Sequence, residues 1–465
     1  GGTSSYHPQM LLKVLIYAYT QKVYSSRNIA KGLRENINFM WLAGNNRPDF
    51  RTINRFRSLI LKENIERVFV AVLDLLLEKG LIKFDNYFLD GTKIEADANK
   101  YSFVWGKSTK KYKERLQEQV RELLEKIDDI NDREDDEYGD SDLEEIGEGV
   151  EISGEDLEKT IQKINEGLSD AEEKEETEKE LKRLKDDMLP RLKKYEEHER
   201  ILGKRNSFSK TDHDATFMRM KEDPMKNGQL KAGYNVQIGT ENQFILGYSI
   251  HQKPTDTTTL IPHMKKLYEM TGRFPVNIIA DAGYGSEENY NFIESEKLGN
   301  YVKYPNFHME QRRKFKHEIF RVENLVYDDV NDEYICPAGK KLRHTDDRTR
   351  MTENGYVQKT KIYTAEDCRW CRKRILCHKS RYNRRIEINP VLTEYKKRVS
   401  VNLKSEQGLL LRSRRPVEVE SVFGHIKHNR GFKRFLLRGI DNVSIEWGLI
   451  SIAHNLSKMN LTTVK

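Results

Sequence analysis

A mixed α/β architecture is predicted for this 465-residue chain, and three observations predict it. Two apolar, strand-like runs, 86–89 and 276–280, each end in an aspartate, Asp90 and Asp281, with glycine close behind. Residues 232–251 alternate as Tyr234, Val236, Ile238 and then Phe244, Leu246, Tyr248, Ile250 around a Glu241-Asn242-Gln243 turn, the pattern of a hairpin. Helical periods at 257–270 and 287–298 then alternate with strands at 276–281 and 301–304. The order strand, hairpin, helix, strand, helix, strand describes a mixed sheet with flanking helices. To this core the sequence adds an all-helical amino-terminal domain, a helical hairpin insertion and a small Cys-rich insertion.

Composition narrows the function classes. The chain is 33% charged and 37% hydrophobic, so it carries much solvated surface, and its length implies two to four units. The net charge of +7 hides an asymmetry. Residues 132–156 are strongly acidic with Arg133 as their one cation, so the remainder is more basic than the total and favours a polyanionic partner. No apolar run is long enough to span a bilayer. The opening Gly1-Gly2-Thr3-Ser4-Ser5 does not read as a signal peptide, and Gly1 points to a trimmed start. Four cysteines in this length do not make a disulfide scaffold.

Along the chain, residues 1–78 read as helical. Met10, Leu11, Val14, Leu15 and Ala18 share a face, Ser25 or Ser26 caps a helix over 27–34, and Asp49 caps a third. That third helix carries Arg51, Arg55 and Arg57 beside Ile53, Phe56, Leu59 and Ile60, a helix-turn-helix-like arrangement expected to contact DNA. Charge alone also allows a merely solvated face. Residues 79–107 hold the first strand. Residues 108–203 keep coiled-coil spacing at Leu116, Val120, Leu123, Ile127 and Ile130, and again at Leu157, Ile161, Ile164 and Leu168, on either side of the acidic stretch. This is the expected helical hairpin, either a spacer or an arm for dimerisation or DNA positioning. Residues 204–305 resume the sheet. Asp256, in Pro254-Thr255-Asp256-Thr257, reads most simply as a helix cap.

Residues 306–400 break the pattern. Cys336 precedes Pro337 and Gly339, while Cys368, Cys371 and Cys377 come later, with His378 a substitute for the last. A Cys-x-x-Cys pair with two further thiols suits a tetrahedral Zn²⁺; free reduced cysteines are the alternative. Arg372, Lys373 and Arg374 crowd the same loop, which is expected to approach DNA.

In residues 401–465, Glu420 and Lys427 lie seven residues apart in a segment that Pro416 opens. Seven residues are nearly two α-helical turns, which places carboxylate and ammonium on one face, opposite Val419, Val422, Phe423 and Ile426. Arg430, Lys433 and Arg434 come next, so the element is suited to a phosphodiester backbone. With Asp90 and Asp281, Glu420 completes a set of hard oxygen ligands of the kind Mg²⁺ or Mn²⁺ prefers.

These residues together resemble the bacterial insertion-sequence transposases of the DDE class, and among them the group called eleven-eighty-two. The stretches that carry the resemblance are Ser5-Tyr6-His7-Pro8, Leu89-Asp90-Gly91-Thr92-Lys93, Ser209-Lys210-Thr211-Asp212, Gly233-Tyr234-Asn235-Val236-Gln237, Ala280-Asp281-Ala282-Gly283-Tyr284, Val419-Glu420-Ser421-Val422-Phe423-Gly424 and Phe432-Lys433-Arg434-Phe435. The resemblance implies an RNase H-like catalytic core and a metal triad of Asp90, Asp281 and Glu420 holding two Mg²⁺ or Mn²⁺ ions, with Lys427 as companion lysine. It implies binding of double-stranded DNA, both element ends and target, as a homodimer assembled on DNA in the bacterial cytoplasm. The family signature also places an arginine four residues before the Glu. Pro416 stands there, with Arg414 and Arg415 just before it. Two rival readings are a catalytically silent DNA-binding derivative and a structure-selective nuclease that cuts without joining.

Overall fold

The computed structural model describes residues 6–138, 151–167, 174–220 and 229–463. Gly1–Ser5, most of the acidic stretch, Leu168 and the Ile130 side chain lie outside the described residues. The chain divides into two compact units, Gly1–Glu95 with Tyr234–Lys465, and Ala96–Gly233. The strands are β1 Asn86–Glu95, β2 Phe103–Trp105, β3 Ser207–Ser209, β4 Thr216–Arg219, β5 Leu230–Glu241, β6 Phe244–His251, β7 Asn277–Ala280 and β8 Gly299–Val302. A later group is β9 Val326–Asp328, β10 Glu333–Ile335, β11 Lys341–Met351, β12 Val357–Ala365 and β13 Arg385–Ile388.

In the first unit the main sheet runs β6, β5, β1, β7, β8. β1, β7 and β8 are parallel, with Phe88 opposite Ile279 and Ile279 opposite Tyr301. Covered parallel strands have no solvated face, which is why Tyr87, Phe88 and Leu89 form an unbroken apolar run, all essentially buried. The β5–β6 hairpin turns at Asn242 and Gln243, both at positive φ, as a two-residue turn requires. The Glu241 carboxylate beside that turn accepts the backbone N–H groups of Lys83, Phe84, Asp85 and Asn86 at 2.6–3.0 Å, fixing where β1 begins.

The amino-terminal helices are Pro8–Thr20, Ser26–Glu35 capped by Ser25, Ile37–Leu42, Phe50–Arg55 capped by Asp49, and Leu61–Glu78. A π turn, Phe56–Ile60, joins the last two. Its extra residue shifts the helical phase, so Leu59 and Ile60, expected on the apolar face, are exposed while Arg57 turns inward. The final helix, Ile440–Thr463, packs on Pro8–Thr20 and Leu61–Glu78, with Trp447 wholly buried. A separate antiparallel sheet, β13-β12-β11-β10-β9, surrounds a small core of Leu342, Tyr363, Ala365, Cys368 and Ile386.

The second unit is broader than the hairpin expected over 108–203. Helices Gly106–Tyr138 and Gly154–Gly167 do pair through Leu116, Val120, Leu123, Ile127, Leu157, Ile161 and Ile164. The Lys174–Arg183 and Leu189–Leu202 helices and the π turn Leu184–Met188 between them add Leu181, Leu184, Met188 and Leu192 to the same core, making a bundle. Its base includes β2 paired with β3, where Val104 and Phe208 pack on Leu202, so the unit extends to residues 96 and 233. Among the described residues no helix is long and apolar enough to cross a membrane.

Candidate active site

The parallel register builds the site. Two residues beyond the Phe88–Ile279 pair stand Asp90, within β1, and Asp281, just past the end of β7, so the two carboxylates lie on one side of the sheet where the β1–β7 pairing ends. Such strand ends are where open α/β sheets place ligands. Asp90 is buried and its Oδ1 accepts the Gly91 N–H at 2.8 Å. Asp281 caps the short turn Ala282–Tyr284 through Gly283 N–H, which donates to Oδ1 at 2.8 Å, while Oδ2 faces the centre.

The third carboxylate arrives on a helix that is not regular. Glu406–Arg415 continues into π turns at Pro416–Glu420 and His425–Asn429, separated by Ser421–Gly424. Pro416 lacks the N–H an α ladder needs, and the π turn accommodates it. Pro416 therefore does not open the helix, as expected from sequence, but sits within it. Glu418 anchors this stretch, accepting Gln243 N–H and an Arg414 N–H, each at 2.8 Å.

One side chain joins the three acids. The Arg415 guanidinium donates Nη1 to Glu420 Oε1 at 2.9 Å and places Nη2 at 3.2 Å from Asp90 Oδ1 and 3.6 Å from Asp281 Oδ2. Two oxygens within 3.6 Å of one nitrogen lie within twice that distance of each other, so Asp90 and Asp281 share a pocket. Arg415 is 8% exposed, and its buried Nε has no hydrogen-bond partner. Among the described residues no three His, Cys, Asp or Glu side chains form a ready metal cage. At the acids the Arg415 guanidinium stands between the carboxylates, and the four cysteines form no such group either.

A fourth acid lies alongside. Asp256 Oδ1 accepts Asn235 Nδ2 at 2.8 Å and Gln237 Nε2 at 2.9 Å, and the Tyr284 hydroxyl donates to Gln237 Oε1. The Asp256 side chain therefore does not cap the next helix, the role expected from its sequence context; its backbone carbonyl accepts from Thr259 instead. Gly91 permits this approach, since a Cβ there would meet Gln237 Nε2 at 2.2 Å and Asp256 Oδ1 at 2.7 Å. Burial, then the charges of Asp256, Asp90 and Asp281, hold the Tyr284 phenol well above its ordinary range, so it stays a donor.

Several expected residues are placed otherwise. Lys427 is 7% exposed, not the open point charge that α-helical spacing put beside Glu420. It lies within the π turn His425–Asn429, where uniform α-helical spacing does not hold. Arg430 is buried and donates to the Tyr19 and Thr20 carbonyls at 2.6 and 3.2 Å, so it is a strut rather than a DNA contact. Arg57 is 2% exposed and bonds Tyr19, Tyr24, Ser26 and Asn54; it too is a strut. Arg51, Arg55, Arg372, Lys433 and Arg434 are exposed. Lys373 donates to Pro337 O at 2.8 Å, and Arg374 staples its own loop through Ser380 O and Arg381 O.

Cys336, Cys368, Cys371 and Cys377 are free thiols, and all four line one cavity with His378 and Arg384. Cys336 Sγ accepts Lys340 N–H at 3.3 Å across a turn in which Gly339 has φ of 77°, and Cys368 Sγ accepts Arg384 N–H at 3.4 Å. Arg384 Nη1 donates to Cys377 Sγ at 3.0 Å. Both buried ring nitrogens of His378 lack partners.

Sequence reasoning also passed over Lys303. Its N–H donates to Ala280 O at 3.1 Å, next to Asp281. Burial first, then the charges of Arg415 and Arg412, lower its ammonium from the usual lysine range.

Comparison with known proteins adds two matches. Residues 335–460 match a family described as a transposase DDE domain, and residues 1–59 match one described as a transposase domain (DUF772). The first segment contains Arg415, Glu420 and all four cysteines; Asp90 and Asp281 lie outside both. No curated protein matches the chain.

Proposed function

We propose that this chain is a DDE transposase with an RNase H-like core, which binds the ends of an insertion sequence and cuts and joins DNA. The observation that carries this reading is the convergence of Asp90, Asp281 and Glu420 on one buried guanidinium. Two matched segments and a sheet ordered β6, β5, β1, β7, β8 support it.

Three carboxylates suit hard divalent cations, and the Arg415 guanidinium among them marks their demand for positive charge. Asp90, Asp281 and Glu420 would hold two Mg²⁺ or Mn²⁺ ions, which supply nucleophile activation and leaving-oxygen stabilisation when bound. Asp90 is the most buried of the three acids and would be the ligand held most rigidly. With ions held there, the Arg415 guanidinium would be available to neutralise a substrate phosphate. Asp256 orients Asn235 and Gln237 below the acids, and Tyr284 completes that hydrogen-bonded support. In the Cys-rich module, Cys336, Cys368, Cys371 and Cys377 would hold one Zn²⁺, with His378 an alternative ligand. Thiols on one cavity and N–H···S bonds to two of them support this assignment. Exposed Arg51, Arg55, Arg372, Lys433 and Arg434 supply backbone contacts to double-stranded DNA, and a homodimer assembles on it in the bacterial cytoplasm.

The test is incubation with candidate element ends and Mg²⁺, resolving nicked from joined products. Asp90→Asn, Asp281→Asn and Glu420→Gln should each lower both products by about 100-fold or more while retaining DNA binding. Nicks without joints would make the chain a nuclease. Binding without either product would make it a silent relative.

A further inference from the structure

The sheet edge that presents two acids presents a cation in the same row. Phe88, Ile279 and Tyr301 are register partners across β1, β7 and β8. Two residues further along each chain stand Asp90, Asp281 and Lys303. Equal offsets on paired parallel strands keep side chains on one face, so Lys303 continues the line of carboxylates. The turn after Asp281 packs against it closely: a Cβ at Gly285 would lie 2.6 Å from Lys303 O.

A second cation comes from the helix that carries Arg415. Arg412, one turn earlier, stacks over the Phe307 ring at 5.1 Å, four residues beyond Lys303. His308 also packs on Phe307, and its imidazole is held below the ordinary histidine range by burial and then by Lys303, Arg412 and Arg312. Lys303 and Arg412 are both held below their usual ranges, Lys303 by burial first and Arg412 by burial alone. Among the described residues neither forms a salt bridge; Asp281 and Glu420 act on Lys303 only from a longer distance. Partly buried cations without a paired acid are costly unless an anion completes the set.

We propose that Lys303 and Arg412 form a phosphodiester subsite at the sheet edge, holding a backbone phosphate of double-stranded DNA next to the bond attacked at Asp90, Asp281 and Glu420. The inference rests on the proposed catalytic role of those three acids. It gives the role expected of buried Lys427 to a lysine placed by strand register. Arg412 provides a planar fork for two phosphate oxygens and Lys303 a point charge. Arg412 stands on the helix Glu406–Arg415, and Lys303 directly follows β8 with its N–H tied to Ala280 O.

The experiment compares full-length wild type, Lys303→Gln, Lys303→Arg, Arg412→Gln and Asp281→Asn. Three readouts are Mn²⁺-dependent nicking of supercoiled plasmid, Mn²⁺ affinity by paramagnetic resonance, and salt-dependent anisotropy of a labelled duplex. Lys303→Gln should slow nicking by about 10- to 100-fold, leave Mn²⁺ affinity within about twofold, and lower the salt slope by about one. Lys303→Arg should recover most of the nicking, which a merely structural role would not allow. Wild-type nicking and slope in Lys303→Gln, with Asp281→Asn dead, would overturn the subsite alone. Should Asp281→Asn nick normally, the catalytic reading falls instead. The anisotropy arm then still judges Lys303: an unchanged slope rejects it.

Discussion

The carboxylate centre and the thiol cavity both contain an arginine among their donors, yet the two arginines do different work. Arg415 meets three carboxylates at 2.9–3.6 Å, and its charge is what those acids require. Arg384 meets one thiol at 3.0 Å, also donates to Phe320 O, and is tied to Cys368 through its own N–H. Like charges crowded at a sheet edge repel, so some cation must be present whether or not a metal is. Neutral thiols make no such demand. The first site is therefore held by register and needs its arginine; the second is held by loops and turns over a small apolar core, and its arginine is a local brace.

Replacing Arg415 is the most severe break of that comparison. Arg415→Ala leaves a buried Asp90 beside two half-exposed acids. Breaking a buried ion pair costs about 3–5 kcal/mol, and exposure of Asp281 and Glu420 to solvent brings the expected loss to about 2–3 kcal/mol. Urea unfolding without metal measures it. Mn²⁺ should then stabilise the variant more than the wild type, because it no longer competes with the guanidinium. Equal Mn²⁺ stabilisation of both proteins would mean that Arg415 and the metal do not share a place.

The thiol cavity should respond locally. Protein purified without chelator is expected to contain about one zinc per chain, as a closed four-ligand site requires. Chelation should expose Cys336, Cys368, Cys371 and Cys377 to a thiol reagent and raise hydrogen exchange in β9–β13 before it affects β1 or β7. Zinc-free protein with four freely reactive thiols would remove the metal from this module and leave Arg384 as its organiser.

The contrast also explains what could be read from sequence. Asp90 and Asp281 were legible because each ends an apolar run that only a covered strand explains. Asp256 was not, since Pro254-Thr255-Asp256-Thr257 spells a helix cap whether the carboxylate turns to the helix or to Asn235 and Gln237. The pairing of Glu420 with Lys427 assumed a uniform 3.6-residue turn, and the π turns break it. Pro416 was the available signal. A proline inside a helix breaks the α ladder, and the π turn found there lets an arginine five positions before Glu420 stand where one four before would in a regular helix. Lys303 had no local signal at all, because its place depends on which strands pair.

Arg57 and Arg55 extend the comparison to the smallest expected effect. They are two residues apart on what reads as one basic helix, but the π turn sends Arg57 inward to neutral oxygens of Tyr19, Tyr24, Ser26 and Asn54 while Arg55 stays in solvent. Arg57→Ala would strand those buried acceptors and should cost about 2 kcal/mol in urea unfolding. Arg55→Ala should change stability by no more than about 0.5 kcal/mol and instead reduce the slope of DNA affinity against salt by about one. The distinction is between an arginine that completes the fold and one that neutralises a phosphate. If Arg55→Ala binds duplex DNA with unaltered affinity and slope, this exposed face is only solvated, and the amino-terminal helices serve the core through Arg57 and Arg430 rather than the DNA.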